Sequence, residues 1–298
     1  MKTTINKDIL ATCWTWAGDA APARGDETSP VEIGRRIEAV AEAGWQGVGL
    51  VHADLTTIGA GIGLPKLKEI LDANDITIVE LEFITNWWAD GEVKRESDRV
   101  RDELFEAAAI LGARTVKTGA ELQSFGATTG SVSLDVFAEK FDVLADVAGS
   151  HGVRVALEPM PMSNITTIDA GSDFIRTVGN RHGGLVVDTW HVARGGTDFG
   201  RLPEILPMEH VFVVELDDAP AEPVGTLWDD TCDRRQNPGE GQLDTVRFVE
   251  EMVRAGWKGH WGVEIIAEAQ RRLPVEQAVQ RTAAATRDVL SAAEKNLA

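Results

Sequence analysis

The chain has 298 residues, 43% of them hydrophobic and 26% charged, a composition suited to a globular protein with a sizeable core and a length that fits two domains or one large α/β barrel. A formal net charge of −19 repels phosphate backbones and anionic membrane surfaces, which disfavours nucleic acid or a membrane as partner. Cys13 and Cys232 are too few for a disulfide framework, "MKTTINKDILATCWTW" lacks the apolar core of a secretory signal, and no eighteen-residue apolar run exists, so a cytoplasmic protein is expected.

Short apolar runs alternate with stretches whose apolar residues recur at three and four. "ILATCW" (9–14) reads as the first strand, with Trp14 and Trp16 at its end, and "SPVEIGRRIEAVAEAG" (29–44) as the helix after it. "GVGLVH" (47–52) is the second strand and stops at His52; "GAGIGL" (59–64), a degenerate partial match to a phosphate-binding glycine motif, is read as a mobile loop. "ITIVELEF" (76–83) ends by Glu82, ahead of Trp87 and Trp88, and "RVRDELFEAAAILGA" (99–113) is helical. "RTVKTG" (114–119) carries Lys117, and "LDVFAEKFDVLADVAGSHG" (134–152) leads to "VRVALEP" (153–159), which ends at Glu158. "LVVDTW" (185–190) stops at Asp188, with His191 and Arg194 just beyond, and "VFVVEL" (211–216) stops at Glu215. A long segment, "DDAPAEPVGTLWDDTCDRRQNPGEG" (217–241), precedes the helix "LDTVRFVEEMVRAG" (243–256) and the last strand, "HWGVEII" (260–266), with Glu264. Long loops in compact domains tend to be functional.

Eight βα units in series predict an α/β fold, a (β/α)8 TIM barrel spanning 1–298 as a single domain. Chemistry in such a barrel gathers at the carboxyl ends of the strands. Glu158, Asp188, Glu215 and Glu264 then converge from four consecutive strands. Carboxylates this close repel unless some are protonated or a cation lies among them, so a metal site is the simplest reading. An all-oxygen shell suits Mn²⁺ or Mg²⁺, with Co²⁺ or Zn²⁺ also admissible. Position 215 is open to a slip of two residues along the strand, because Asp217 and Asp218 follow it. His191 shares a short turn with Asp188 and can donate to a substrate oxygen, and Arg194 can add a cation near an oxyanion.

On these residues the chain resembles the sugar isomerase and epimerase superfamily of xylose isomerase-like TIM barrels. The likeness rests on "LEP" with Glu158, "DTWH" with Asp188 and His191, "RRQNPGEGQLD" at 234–244, and "WGVEII" with Glu264. It implies a metal held by Glu158, Asp188, position 215 and Glu264. One departure is plain: relatives carry a histidine on strand seven where this chain has Glu215, and His210 lies at the opposite end of that strand. A glutamate frequent on strand two is here Gly49, with His52 following.

The resemblance also implies a mechanism. A metal-polarised keto-sugar loses a proton to form an enediolate, with Glu158 and Glu264 as base and acid. His191 and Arg234 or Arg235 hold oxygens. Lys117 and Glu82 contact distal hydroxyls, and Trp14, Trp16, Trp87 and Trp88 pack on the sugar ring, with His52 near the mouth in a role left unassigned. The expected partner is a small free or oxidised sugar, and a homo-oligomer is left open. Isomerisation or epimerisation is the first reading. The alternative is a metal-dependent lyase that eliminates water or an aglycone from a 3-keto-sugar, a 3-keto-glycoside or an inosose, and the missing strand-seven histidine brings it closer. A non-catalytic sugar-binding barrel or complex subunit is the remaining reading. A polymetal nuclease is disfavoured, because the chain has only six histidines.

Overall fold

A computed structural model describes residues 4–123 and 130–298. Its eight strands are β1 (Ile9–Ala11), β2 (Gly47–Val51), β3 (Ile78–Ile84), β4 (Thr115–Gly119), β5 (Arg154–Glu158), β6 (Gly183–Asp188), β7 (Val211–Leu216) and β8 (Trp261–Val263). They pair in sequence order, all in parallel, and β1 closes on β8 to form the barrel read from the sequence.

Thirteen α-helices lie among the described residues: α1 (Cys13–Trp16), α2 (Ile33–Glu42), α3 (His52–Gly61), α4 (Leu64–Ala73), α5 (Gly91–Leu111), α6 (Leu134–Ser150), α7 (Ile168–Val178), α8 (Thr189–Arg194), α9 (Leu202–Ile205), α10 (Leu227–Asp233), α11 (Thr245–Ala255), α12 (Glu268–Arg271) and α13 (Val275–Asn296). Their starts follow local chemistry. The Ser133 and Thr167 hydroxyls accept from Val136 and Ala170 at the heads of α6 and α7. Gly112 and Gly179 end α5 and α7 in the left-handed conformation that a residue without Cβ adopts at no cost.

Two expectations need correction. The first strand stops at Ala11 rather than Trp14. The Thr12 amide and hydroxyl both turn to the carbonyl of Val263 (3.1 and 2.9 Å), so the chain leaves the sheet and Cys13–Trp16 coil into α1. The segment 59–64 is neither a phosphate cradle nor a loop. Gly59–Gly61 finish α3, and Gly63 turns the chain into α4, whose second residue is Pro65.

The strands are enclosed on both faces, as parallel sheets require, and strand residues such as Leu157, Val187 and Val214 are buried in the core. Register then places the chemistry. Asp188 pairs with Glu215 across β6 and β7, Gly119 with Glu158 across β4 and β5, and Val51 with Glu82 across β2 and β3. All these carboxylates therefore end up at one end of the barrel.

Candidate active site

Above the C-terminal strand ends lies a cavity of about 760 Å³. Glu82, Glu158, His191, Arg235 and Glu264 form its polar floor, and Trp14, Phe83, Trp88, Met160, Met162 and Trp228 supply much of its apolar wall. At and beneath this floor the carboxylates of Glu158, Asp188, Glu215 and Glu264 each offer an oxygen within 4.8 Å of the others, and all four residues are buried. Glu158 and Glu264 line the cavity, whereas Asp188 and Glu215 lie beneath it.

Asp188 answers why a buried strand ends in a carboxylate. It closes β6 and caps α8, its Oδ1 accepting from the His191 amide at 2.8 Å, so the turn carrying His191 is fixed by the residue that ends the strand. The Asp188 Oδ2 accepts from Arg235 at 2.8 Å. His191 Nε2 sits 3.3 Å from Glu158 Oε1 and 3.2 Å from an Arg235 nitrogen.

Two buried cations complete the floor. Arg235 reaches Asp188, Asp217 (2.5 Å) and Glu264 (3.1 Å), and it also donates to the Thr231 hydroxyl at 3.0 Å. The Lys117 ammonium lies 2.7 Å from Glu215 and 2.8 Å from Glu82. Six carboxyl groups, those of Glu82, Glu158, Asp188, Glu215, Asp217 and Glu264, surround two cations, and burial together with this crowding raises the pKa of Glu215 and Asp217 well above the usual carboxylate range. The donor set fits a divalent cation. Glu215 Oε2 is buried without a hydrogen-bond partner and Glu158 Oε1 has only His191 Nε2 at 3.3 Å, so both oxygens are open to a cation. Arg235 shares one oxygen each of Asp188 and Glu264.

The two floor glutamates differ in proton affinity. Burial opposes ionisation of Glu158, but the hydrogen bond and charge of His191, with Lys117 and Arg235, outweigh it and hold the carboxyl at about 2. Burial dominates at Glu264. Lys117 and Arg235 offset it only in part, and Glu158 and Glu82 add to it, so the carboxyl is raised to about 7.

The long segment after β7 brings Arg235 to the floor. Asp217 pairs with Arg235, whereas Asp218 is structural: its carboxylate accepts from the amides of Ala219, Gly239 and Leu243 and from the Thr245 hydroxyl, which pins the "NPGEG" turn. Of the three acids at the end of strand seven, Glu215 is thus the one in the four-carboxylate cluster. Arg234 closes the end of α10, exposed and outside the cavity, whereas Arg235, next along the chain, is buried in its floor.

Other expectations drawn from the sequence are corrected in place. Arg194 does not face the cavity. It is spent on Asp230 (2.9 Å) and on the carbonyls of Pro220 and Ala221, where it ties down the same long segment. Lys117 lies below the floor rather than against distal hydroxyls, because β4 carries it inward among the carboxylates. Trp16 points outside the barrel, its indole donating to Gly49 and its ring under Arg36, and Trp87 donates to Gly119 and packs on Phe137. Trp14, Trp88, Glu82 and His52 do line the cavity, and His52 is held by Glu103 at 2.6 Å. Gly49 has a steric reason. A Cβ there meets the Cys13 nitrogen at 2.9 Å and Thr12 Cα at 3.0 Å, so the turn after β1 excludes a glutamate.

Sequence reasoning missed Asp230, which is fully buried and accepts from Trp190, Arg194 and the Val224 amide. The only local cue is the Thr226–Asp229 capping box that starts α10. It also missed the cavity wall of Phe83, Met160, Met162 and Trp228, whose apolar side chains carry no chemical signature.

Comparison with known proteins agrees with this architecture. The family model described as "Xylose isomerase-like TIM barrel" matches residues 37–289. An inosose isomerase of Bacillus subtilis is 29% identical over 161 residues, 53% of this chain and 55% of that protein, so the matched stretch spans about half of the curated relative. A 3-dehydroshikimate dehydratase of Pseudomonas putida is 23% identical over 247 residues, 81% of this chain and 37% of that protein. Among solved structures, the IOLI protein with a bound zinc atom superposes with a TM-score of 0.79 at 19% identity, covering 95% of this chain and 98% of that one.

Proposed function

We propose, from the premise that the chain belongs to the xylose isomerase-like TIM barrel family, that it is a divalent-metal-dependent isomerase or epimerase of a keto-sugar. The observation that carries the reading is the split of the carboxylate cluster, in which Glu158 and Glu264 face the cavity while Asp188 and Glu215 stay beneath it. An acid and a base must touch substrate, and ligands need not.

Glu158, Asp188, Glu215 and Glu264 would hold a divalent ion, whose charge would polarise a substrate carbonyl and acidify the neighbouring C–H. Mn²⁺ or Mg²⁺ suits this oxygen set, with Co²⁺ or Zn²⁺ as alternatives. Glu158 takes the carbon-bound proton, its carboxylate kept ionised by His191, Lys117 and Arg235 against the pull of burial. Glu264 stands within 4.8 Å of Glu158 and delivers a proton to the adjacent carbon or to the opposite face. Arg235 and His191 border both carboxylates and orient the substrate oxygens. His52 and Glu82, on the second and third strand ends, contact more distant hydroxyls, and Trp14 and Trp88 pack on the ring.

Elimination is the second reading. The cavity is roomy, and its wall of Phe83, Met160, Met162 and Trp228 accommodates an apolar substituent on the sugar, a group that can leave from the carbon β to the carbonyl. The partner is a small free or oxidised sugar rather than nucleic acid or membrane. Among the described residues no helix is long and apolar enough to cross a membrane.

The test is incubation with ketoses, inososes and 3-keto-glycosides in deuterated water, with Mn²⁺ and after chelation. Deuterium retained at carbon reports proton exchange, and loss of water or aglycone reports elimination. Glu158→Gln and Glu264→Gln are each expected to lose on the order of a hundredfold in turnover while metal stays bound. Restoration of both variants by excess Mn²⁺ reduces the two glutamates to ligands, and turnover unaffected by chelation overturns the metal-dependent reading.

A further inference from the structure

We propose that Lys117 and Glu215 act on the metal site as one unit, with Lys117 a fixed counter-charge under the carboxylates that limits how tightly they hold a divalent ion. The inference rests on the metal reading above. Lys117 is a positioning residue and not a catalytic one, because its side chain is 1% exposed and lines no part of the cavity.

β4 and β7 are not neighbours in the barrel, so only a long side chain crossing the interior joins them. Lys117 does so. Its ammonium sits 2.7 Å from Glu215 Oε1, 2.8 Å from Glu82 Oε2 and 3.7 Å from Glu264 Oε1. Two consequences follow for Glu215, which is wholly buried. Its Oε1 is claimed by the ammonium, so only Oε2, which has no partner, is free for an ion. The ammonium is also the nearest charge that opposes the burial of this carboxyl.

The same ammonium repels any cation that approaches Glu215 and Glu264, through a low-dielectric interior where such repulsion is poorly screened. The lysine–glutamate pair therefore presents the ion with one ligand oxygen and no net charge. The site's attraction comes from Glu158, Asp188 and Glu264, moderated by Arg235 on the far side. A site of four uncompensated carboxylates holds a divalent ion more firmly than this one.

The test is Mn²⁺ affinity, measured by competition with a fluorescent chelator, for the wild type, Glu215→Gln, Lys117→Met and the double variant. Glu215→Gln removes a ligand charge while the ammonium stays beside the site, held by Glu82, and is expected to weaken Mn²⁺ binding. Removing the ammonium as well, in Lys117→Met/Glu215→Gln, is expected to tighten it again by about tenfold or more over the single variant, the scale on which groups around a metal site act. A lysine that merely fills space gives a double variant no tighter than Glu215→Gln, which overturns the proposal. Lys117→Met alone provides a second measurement should the Glu215→Gln variants not fold. Its metal-free melting temperature falls, and the rise on adding Mn²⁺ exceeds the wild-type rise, whereas an equal or smaller rise overturns the proposal. Failure of the wild type to bind Mn²⁺, Mg²⁺, Co²⁺ or Zn²⁺ overturns the metal reading itself, and the proposal with it. Wild-type binding without recovery in the double variant overturns only the role of Lys117.

Discussion

Replacing Asp230 by alanine is expected to cost roughly 4 kcal/mol of stability, at about 1–3 kcal/mol for each buried donor left without an acceptor and more for a charged one. The figure comes mainly from the Trp190 indole and Arg194 Nε, each 2.9 Å from this fully buried carboxylate, whereas the Val224 amide, at 2.8 Å, lies in an exposed stretch where water can replace the acceptor. Arg194 keeps its bonds to the Pro220 and Ala221 carbonyls, so its charge stays in place but loses its only ion-pair partner among the described residues. Domains are typically stable by about 5–15 kcal/mol, so the loss is a large fraction of the total. Urea unfolding followed by tryptophan fluorescence measures it. The double variant Asp230→Leu/Arg194→Met, which removes both charges together, is expected to recover part of the loss, since replacing a whole buried pair by apolar groups is far milder than removing one partner. The functional consequence is equally specific. Asp230 anchors the segment that carries Arg235, so the alanine variant should also raise KM. A loss below about 1 kcal/mol refutes the reasoning, because the Trp190 and Arg194 donors are too deeply buried to lose their acceptor so cheaply.

Further outcomes are expected elsewhere. Burial resists charge on His260, but its bond to Glu80 at 2.8 Å and the charges of Glu80 and Asp8 outweigh it and raise its pKa above the ordinary imidazole value. The folded state therefore holds that proton more tightly than the unfolded chain. The stabilisation is complete below the unfolded value of about 6.5 and is lost as pH rises through the higher folded value. Urea unfolding of the wild type from pH 6 to 9 should show this decline and His260→Gln should lack it; identical profiles would remove His260 as the cause. Burial also raises both thiols, Cys232 to about 11 and Cys13 well above its usual range, so iodoacetamide at pH 8 is expected to label neither in the native protein and both after unfolding. Mass spectrometry showing native alkylation at Cys232, which lines the cavity, contradicts that.

The sequence by itself determined the architecture, because apolar runs broken at regular intervals by amphipathic helices have few ways to bury themselves other than a closed parallel barrel. It also determined which acids meet. Glu158, Asp188 and Glu264 stand at or just past the ends of their strands, and the strand end is a property that local patterning reveals. At position 215 the pattern left Asp217 and Asp218 in contention, since residues two apart share one face of a strand. Only the fold separated Glu215 from Asp217, by placing Lys117 against the one and Arg235 against the other. The same limit governed the cations and the aromatics. Arg194, Arg234 and Arg235 are the same residue type in neighbouring segments, yet one braces a loop, one meets solvent and one enters the floor. Trp14 reaches the cavity while Trp16 turns away from it, because two residues along a helix is more than half a turn. Long side chains take their role from the partners that other strands and loops bring within reach. Such partners are far apart in the chain, as Lys117 and Glu215 are, and local sequence carries no record of the distance that folding closes between them.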